Sequence, residues 1–224
     1  MILLGRRDRS AARYAAAGRP ARTTPWREAE WCAVDLELTG LDPDADHVIA
    51  VGAVPVVQGR VQLGGARYSL VATTRRSEPE AVVTHKLRTA DLQDAAHVDE
   101  AIDLLLDALR GRVPVFHSAA VERAFLTPLL RRRRLRMPSA ADTEMLGRLW
   151  LRGRDGVAPA GISLARLARI LGQHTEPPHH ALGDAVTTAQ AFISLASHLD
   201  SSVPQTVGSL IAAPELLSGT RRMG

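Results

Sequence analysis

Asp35 and Glu37 stand two positions apart at the end of an apolar segment, residues 31–38, that is rich in β-forming side chains. Such a segment predicts a buried strand over residues 31–36, and alternate side chains of a strand point to the same face. The two acids are therefore expected to lie side by side, where each raises the pKa of the other. A divalent cation between them would relieve the repulsion, and oxygen ligands favour Mg²⁺ or Mn²⁺. For this pair alone, two exposed acids at a strand end remain the competing interpretation.

The rest of the apolar pattern predicts an α/β protein. Short β-branched runs bounded by turn residues predict further strands over residues 48–57, 61–71 and 113–116. Apolar residues spaced three and four apart predict a helix over residues 98–109. Proline, glycine and capping residues help to delimit further predicted helices over residues 119–134, 142–150, 164–171 and 180–199. A meander of strands followed by alternating strands and helices indicates one mixed sheet, first antiparallel and then parallel, flanked by helices.

The two ends of the chain differ from this central domain, residues 28–200. Residues 1–27 carry seven arginines against one aspartate and lack a sustained apolar period, so we expect a basic, flexible arm with at most a short helix. That arm either contacts nucleic-acid phosphates or serves as a solubilising tail. Residues 201–224 are weakly patterned, which predicts a poorly ordered tail.

Composition excludes several classes of protein. No apolar run is long enough to span a bilayer, so we expect no membrane association. Arginines follow the first few residues too closely for a secretory leader, and Cys32 is the only cysteine, which excludes an internal disulfide. These features favour a cytoplasmic protein.

Two later segments also carry groups suited to chemistry. His179 precedes Asp184 by five residues at a predicted helix start, and a histidine near a carboxylate can act as a general base. Helix capping is the competing explanation for this pair. His117 follows a predicted strand, and Glu122 lies on the helix after it. For His117 we expect a structural role at the strand end.

Taken in order, these segments resemble the DEDDh 3′→5′ exonucleases, the group that contains the proofreading epsilon subunit of bacterial DNA polymerase III. Residues 35–40 resemble its first motif, D-x-E-x-T-G, and residues 117–126 its second, H-N-A-x-F-D-x-x-F-L. Residues 179–185 match its third motif, H-x-A-L-x-D-A. The resemblance spans about residues 28–199 and implies a ribonuclease-H-like fold.

The resemblance also implies the roles of the site residues. Two Mg²⁺ or Mn²⁺ ions would be held at one centre, with Asp35 bridging them, Glu37 and Asp184 completing the inner ligands, and Glu122 supporting one ion. His179 would accept the proton of the attacking water, and it stands at the spacing that the motif requires, whereas His180 does not.

The same resemblance implies a nucleic-acid substrate. Single-stranded or frayed 3′ ends of DNA or RNA would be shortened to nucleoside 5′-monophosphates, in proofreading or DNA repair. The residues expected to bind the terminal nucleotide are Leu38, Thr39, Gly40 and Ser118.

The second motif departs from the family pattern at three positions. Ser118 replaces asparagine, Val121 replaces phenylalanine, and Glu122 replaces aspartate, which lengthens the carboxylate arm by one methylene. A displacement of about 1 Å can cost on the order of 10²-fold in rate. A catalytically weakened nucleic-acid-binding or polymerase-associated module is therefore one alternative, and an RNA-directed exonuclease or oligoribonuclease is another.

Two surface features leave further alternatives open. The arginine run at residues 131–136 predicts either a solvated helix end or a contact for the nucleic-acid backbone. Residues 205–210 faintly resemble a sliding-clamp peptide, which would imply association with a polymerase or its clamp.

Overall fold

The computed structural model describes residues 2–173 and 179–213, which form a six-stranded mixed sheet flanked by helices. The strands are β1 (Trp31–Leu38), β2 (Val48–Val57), β3 (Arg60–Val61), β4 (Arg67–Leu70), β5 (Val113–Phe116) and β6 (Ala141–Asp142). The helices are α1 (Ile2–Ala16), α2 (Pro79–His85), α3 (Val98–Ala108), α4 (Ala119–Arg131), α5 (Thr143–Asp155), α6 (Leu164–Ile170), α7 (Ala181–Asp200) and α8 (Val207–Ile211).

The sheet has the order β3-β2-β1-β5-β6, and β4 also pairs with β2. β2 runs antiparallel to its neighbours β1, β3 and β4, whereas β5 runs parallel to both β1 and β6. The predicted mixed sheet, an antiparallel meander followed by parallel strands, is therefore confirmed. Because β1, β5 and β6 run the same way, their carboxyl ends meet at one edge of the sheet, where open α/β sheets place ligands.

Strand β1 separates two apolar cores because its side chains alternate between the faces of the sheet. Cys32 and Val34 point into a core formed with α1, α3 and α4. Trp31 and Ala33 point into a second core with α5, α6 and α7, where the ring of Phe192 lies 4.6 Å from that of Trp31. Burial on both faces explains why β1 is apolar along almost its whole length.

The predicted strand over residues 61–71 is wrong in its middle. β3 ends at Val61, and a 3₁₀ turn at Leu63–Gly65 precedes β4. The pair Gly64-Gly65 explains the break, because glycine has no side chain to pack and disfavours strands. Neither α2, which begins at Pro79, nor the two-residue strand β6 was predicted. Proline is accepted in the first turn of a helix, where its missing N–H would have no helical partner.

The N-terminal segment differs from the flexible arm expected for it. Helix α1 occupies most of that segment and packs against α3, with Ala11 and Tyr14 buried between them. The Ser10 hydroxyl donates to the carbonyl of Asp103 (3.3 Å). The alanine-rich sequence has only a weak apolar period, which does not predict a stable helix. Packing against α3 holds this segment in its helical conformation.

The C-terminal segment is also more ordered than expected as far as residue 213. Val207 and Leu210 of α8 are buried, and Trp26 donates its backbone N–H to the carbonyl of Gln205 (3.1 Å). The two buried residues of the segment that resembles a clamp peptide, Val207 and Leu210, thus lie in the core of the domain. Residues 214–224 of the predicted tail lie outside the described part.

One member of the arginine run is not solvated. The Arg133 side chain is only 4% exposed and forms ion pairs with Asp99 and Asp103 of α3. Arg131, Arg132 and Arg134 are exposed, as expected for a solvated helix end. Among the described residues, no helix combines the length and the apolar character needed to cross a bilayer.

Candidate active site

Three carboxylates from two elements meet at the carboxyl edge of the sheet. Asp35 and Glu37 lie on one face of β1, in register with Gly52 and Ala50 of β2. The first turn of α7 adds Asp184, and ligand oxygens of the three acids lie within 4.8 Å of one another. We refer to these three residues as the carboxylate cluster. Hard oxygen ligands at this spacing suit a divalent cation.

The electrostatics of the carboxylate cluster also favour a cation. Burial raises the pKa of Asp35 well above its ordinary range, and neighbouring carboxylates raise it further. Burial and the charge of Asp184 raise the pKa of Glu37 to about 7. The Oε1 atom of Glu37 is buried and has no hydrogen-bond partner within the described ranges. A bound divalent cation would give that oxygen a partner and lower these pKa values.

Glu122 lies beside the carboxylate cluster but is not part of it. The group of acids whose oxygens lie within 4.8 Å does not include Glu122, although its charge contributes to the raised pKa of Asp35. The Glu122 side chain is buried, and its Oε2 atom has no partner in the part of the chain that the structure describes. Burial, followed by the charge of Asp142, raises the pKa of Glu122 to about 8.

The start of α4, which carries Glu122, is fixed by Asp142. Ser118 adopts a left-handed conformation (φ 59°), and its backbone N–H donates to Asp142 Oδ1 (3.1 Å). The N–H of Ala119 donates to Asp142 Oδ2 (2.9 Å), and Asp142 also caps α5 through the N–H of Glu144 (2.9 Å). Asp142 therefore ties the first turns of α4 and α5 to each other. The backbone N–H of Ser118, a predicted substrate contact, is committed to this bond.

His117 has the structural surroundings expected for it. Its Nδ1 lies 2.9 Å from the hydroxyl of Thr143, and its Nε2 lies 3.0 Å from the carbonyl oxygen of Ile162. Burial lowers the pKa of His117, which favours the neutral ring. With both ring nitrogens in hydrogen bonds, His117 joins the end of β5 to α5 and to the loop before α6.

His179 lies on the loop immediately before α7, and its side chain is exposed. The residue has a positive φ of 65°, and its backbone N–H donates to Asp184 Oδ2 (2.8 Å). A positive φ is unusual for histidine, and such backbone strain is common at active sites. Asp184 therefore fixes the backbone that carries the histidine predicted to act as the base. Pro177 and Pro178, which precede this loop in the sequence, lie outside the described residues.

His180, the neighbouring histidine, has a different role. Its Nδ1 accepts a hydrogen bond from the N–H of Gly183 (3.4 Å), so that it caps α7. Its ring stacks on Tyr68 of β4, with ring centres 4.8 Å apart and planes inclined by 19°. His180 is thus held by a cap and a stacked ring, whereas His179 is exposed beside Asp184.

Thr39 has a structural role that was not predicted from the sequence. Its side chain is fully buried, and its hydroxyl donates to Asp46 Oδ1 (2.9 Å). The same hydroxyl oxygen of Thr39 accepts from the N–H of His47 (3.0 Å). The backbone N–H of Thr39 donates to the His47 carbonyl (3.0 Å), and its carbonyl accepts from Glu78 (2.8 Å). Every hydrogen-bonding group of Thr39 therefore has a partner within the protein.

Two further predicted nucleotide contacts, Leu38 at the end of β1 and Gly40 in the loop after it, are also closely packed. Leu38 is 8% exposed. A Cβ atom at Gly40 would lie 2.8 Å from Cγ of Asp46, so only glycine fits against that carboxylate. Asp46, which accepts from Thr39, from Asp42 N–H (3.0 Å) and from Arg75 Nε (3.3 Å), organises the loop between β1 and β2.

Two residues near the cluster were not predicted as site residues. Burial and the negative charge of Glu37, a member of the carboxylate cluster, raise the pKa of the Tyr68 hydroxyl. His85, at the end of α2, is buried, and its Nδ1 accepts from the N–H of Leu87 (3.0 Å). Burial and the charge of His179 lower its pKa. Pairing between β2 and β4 positions Tyr68, and no local pattern could have revealed it.

Comparison with known proteins gives a consistent result. Residues 32–192 match the family model described as Exonuclease (RNase_T). A DNA polymerase III subunit epsilon-like protein of Rhodobacter capsulatus is 30% identical over 191 residues, which cover 84% of this chain and 27% of that protein. A bifunctional exonuclease/endonuclease protein of Mycobacterium tuberculosis is 30% identical over 205 residues, which cover 87% of this chain and 31% of the relative. The chain thus spans about a third or less of these relatives.

Solved structures share the fold at low sequence identity. Exonuclease X in complex with 5′ overhanging duplex DNA superimposes with a TM-score of 0.58 at 20% identity, over 82% of this chain and 98% of that one. The ribonuclease-H-like fold expected from the sequence is therefore confirmed.

Proposed function

Because the chain belongs to the RNase_T exonuclease family, whose members are hydrolases that act on nucleic acids, we propose that it is a metal-dependent 3′→5′ exonuclease. It removes nucleoside 5′-monophosphates from single-stranded or frayed 3′ ends. The carboxylate cluster, with three acids from β1 and α7 inside 4.8 Å, is the observation that supports this proposal most strongly.

The residues present suit a pair of divalent cations. Asp35, Glu37 and Asp184 would hold them, with Glu122 supporting one ion from α4. When bound, two Mg²⁺ or Mn²⁺ ions would polarise the scissile phosphate, activate the attacking water and stabilise the charge on the leaving oxygen. The partnerless Oε1 atom of Glu37 and the raised pKa values of the acids support this fit.

The chain's own contribution to the reaction is to place groups and to move a proton. His179 accepts the proton of the attacking water, since its ring is exposed and its backbone is fixed by Asp184. The water oxygen bonds to phosphorus as the bond between phosphorus and the 3′-oxygen breaks. The nucleoside 5′-monophosphate leaves, and the 3′-oxygen of the shortened strand takes up a proton from solvent. Thr39 acts indirectly, by holding the loop after β1 through Asp46.

DNA is the first substrate to test, because a relative is named as epsilon-like and a structural neighbour was solved with DNA. Proofreading or DNA repair is the corresponding role. RNA ends, and association with a polymerase, are the alternatives.

The decisive experiment uses single-stranded DNA and RNA labelled at the 5′ end, with Mg²⁺, Mn²⁺ or EDTA. A 3′→5′ exonuclease gives a ladder of shortening labelled products, whereas the opposite polarity releases the label at once as a mononucleotide. Asp35→Ala should abolish the ladder. Asp107→Ala is the matched control, because it makes the same change at a carboxylate that pairs with Arg13 on the surface. Absence of cleavage by folded protein with either ion would refute the proposal.

Glu122 supports a second candidate function, a nucleic-acid-binding module with little catalysis. Its carboxyl is buried and lies outside the carboxylate cluster. Such a module would retain labelled DNA in a binding assay with EDTA or with Mg²⁺ and would leave it uncut in both.

A further inference from the structure

The first turn of α7 rests directly on the backbone of Gly52. A Cβ atom at that position would lie 2.6 Å from the backbone nitrogen of Leu182 and would overlap the carbonyl group of Ala181 even more closely. Real Cβ atoms almost never approach other atoms within 3.0 Å. Because the atoms in the way belong to the backbone, a side-chain rotation cannot make room. Any larger residue must therefore displace the helix or the strand.

Gly52 lies in the row of the sheet that contains a carboxylate. It pairs with Asp35 of β1 on one side and with Tyr68 of β4 on the other, so these three residues share a face. Tyr68 stacks on His180, the residue that caps α7. The glycine and the tyrosine together form a surface that supports the first turn of α7. We call Gly52 and Tyr68 the helix seat.

The residues that face α7 become smaller towards the helix seat. Along β2, Val56 and Val54 are followed on the same face by Gly52 and Ala50. The small residues Ala181 and Ala185 are buried in the first turns of α7. The N-terminal end of α7 can therefore approach the sheet at backbone contact distance.

We propose that the helix seat is a positioning device for the metal site. Asp184 lies three residues after Ala181, so the height of this turn above Gly52 sets the distance from Asp184 to Asp35 and Glu37. The same turn carries His179, whose N–H is bonded to Asp184. Gly52 and Tyr68 thus act through α7 and need not touch substrate. This inference rests on the proposed function, because it assigns to the carboxylate cluster the role of binding divalent cations.

The competing explanation is that Gly52 merely permits tight packing. Gly147 of α5 provides the matched control, since a Cβ there would lie 2.9 Å from Cδ1 of Leu167 in the buried core. That contact is with the end of the flexible Leu167 side chain. Neither Gly147 nor Leu167 belongs to the carboxylate cluster. A packing defect alone should affect stability in both variants and metal affinity in neither.

The test compares wild type, Gly52→Ala and Gly147→Ala by thermal melting in EDTA and by calorimetric titration with Mn²⁺. We expect Gly52→Ala to lower Mn²⁺ affinity about 10-fold or more, which is the scale for disturbing groups that orient metal ligands. Its rate on labelled DNA should fall about 10²-fold, as for a displacement of about 1 Å. Gly147→Ala should bind Mn²⁺ as the wild type does. Equal Mn²⁺ affinity in folded Gly52→Ala would overturn the inference.

Tyr68 provides a second variant that introduces no clash. Tyr68→Ala removes the stacked ring and should weaken Mn²⁺ binding, whereas Tyr68→Phe keeps the ring and should restore it. If Gly52→Ala does not fold, unchanged Mn²⁺ affinity in Tyr68→Ala overturns the inference. Failure of the wild-type protein to bind Mn²⁺ would instead refute the proposed function.

Discussion

The backbone N–H of His179 donates a hydrogen bond to Oδ2 of Asp184 over 2.8 Å. This bond joins two residues five positions apart, so the proposed base and a proposed metal ligand are held as one unit at the start of α7. His179 has a positive φ in this turn, and the carboxylate that bonds to its N–H is also a proposed ligand of the cation. Structure and chemistry at this point therefore depend on one side chain.

Asp184→Asn and Asp184→Ala should separate these two roles. Both variants remove the anionic ligand, so Mn²⁺ affinity and the cleavage rate should each fall about 10²-fold, the upper end of the range for disturbing a metal site. The asparagine oxygen can still accept from His179, whereas alanine loses the bond, worth about 1 kcal/mol. Thermal melts in EDTA should therefore rank alanine below asparagine. Equal stability of the two variants would show that the hydrogen bond does not hold the turn.

His179→Ala should impair the reaction without affecting metal binding. Loss of a general base costs roughly 10²- to 10⁴-fold in rate. We expect a fall of this size in kcat, unchanged Mn²⁺ affinity, and loss of the acidic limb of the pH–rate profile. His198→Ala is a suitable control, because that histidine stacks on Trp150 at the other end of α7. A retained acidic limb in His179→Ala would assign the base to another group.

The fold should lose stability in EDTA as the pH rises from about 4.5 towards 8. Burial raises the pKa of Glu37 from 4.5 to about 7 and that of Glu122 from 4.5 to about 8. Between the unfolded and folded values the folded protein binds more protons than the unfolded chain, so raising the pH favours unfolding. Thermal melts across this pH range measure the change in stability. A stability that stays constant or rises with pH would contradict the prediction.

A substitution and an added cation should each reduce this loss of stability with pH. Glu37→Gln removes one titrating group and should flatten the pH profile. Saturating Mg²⁺ binds the ionised acids of the folded state, so the gain in stability that it gives should increase with pH. A magnesium effect that is independent of pH would argue against a site made of these carboxylates.

Glu122→Asp should distinguish a weakened enzyme from a module without catalysis. The shorter side chain restores the residue type of the family motif, so an impaired enzyme should become faster, by about 10-fold if part of a 10²-fold positioning penalty is relieved. The measurement is the single-turnover rate with Mg²⁺ and with Mn²⁺. Glu80→Asp on α2, an exposed acid outside the carboxylate cluster, serves as the control for the same chemical change. No gain with either ion would favour the binding module.

Arg133→Ala should destabilise the fold much more than Arg134→Ala. Arg133 is 4% exposed and pairs with Asp99 and Asp103, whereas Arg134 is exposed. Removing one partner of a buried ion pair costs about 3–5 kcal/mol because the other charges stay buried. Chemical denaturation measures the difference, and similar losses in both variants would show that the Arg133 pairs are solvated. The DNA cleavage rate of the folded fraction should not change.

Local sequence determined the chemical groups and the elements that carry them. The period-two pattern of β1 placed Asp35 and Glu37 on one face, and the glycines, prolines and apolar spacing located most helices and strands. These features depend on neighbours a few residues apart, so the order of residues is sufficient to predict them. The resemblance of three motifs then indicated the family, which the comparisons show.

Only the tertiary structure decided how far apart those groups lie and what holds them. Asp184 reaches Asp35 because α7 rests on Gly52, a residue 132 positions earlier whose role depends on the pairing of β2 with β1 and β4. Thr39 became a buried anchor for Asp46, and the arginine-rich N-terminal segment became a helix because α3 offers it a surface. Such contacts join residues distant in sequence, and their free energy depends on through-space packing, which a linear pattern does not contain.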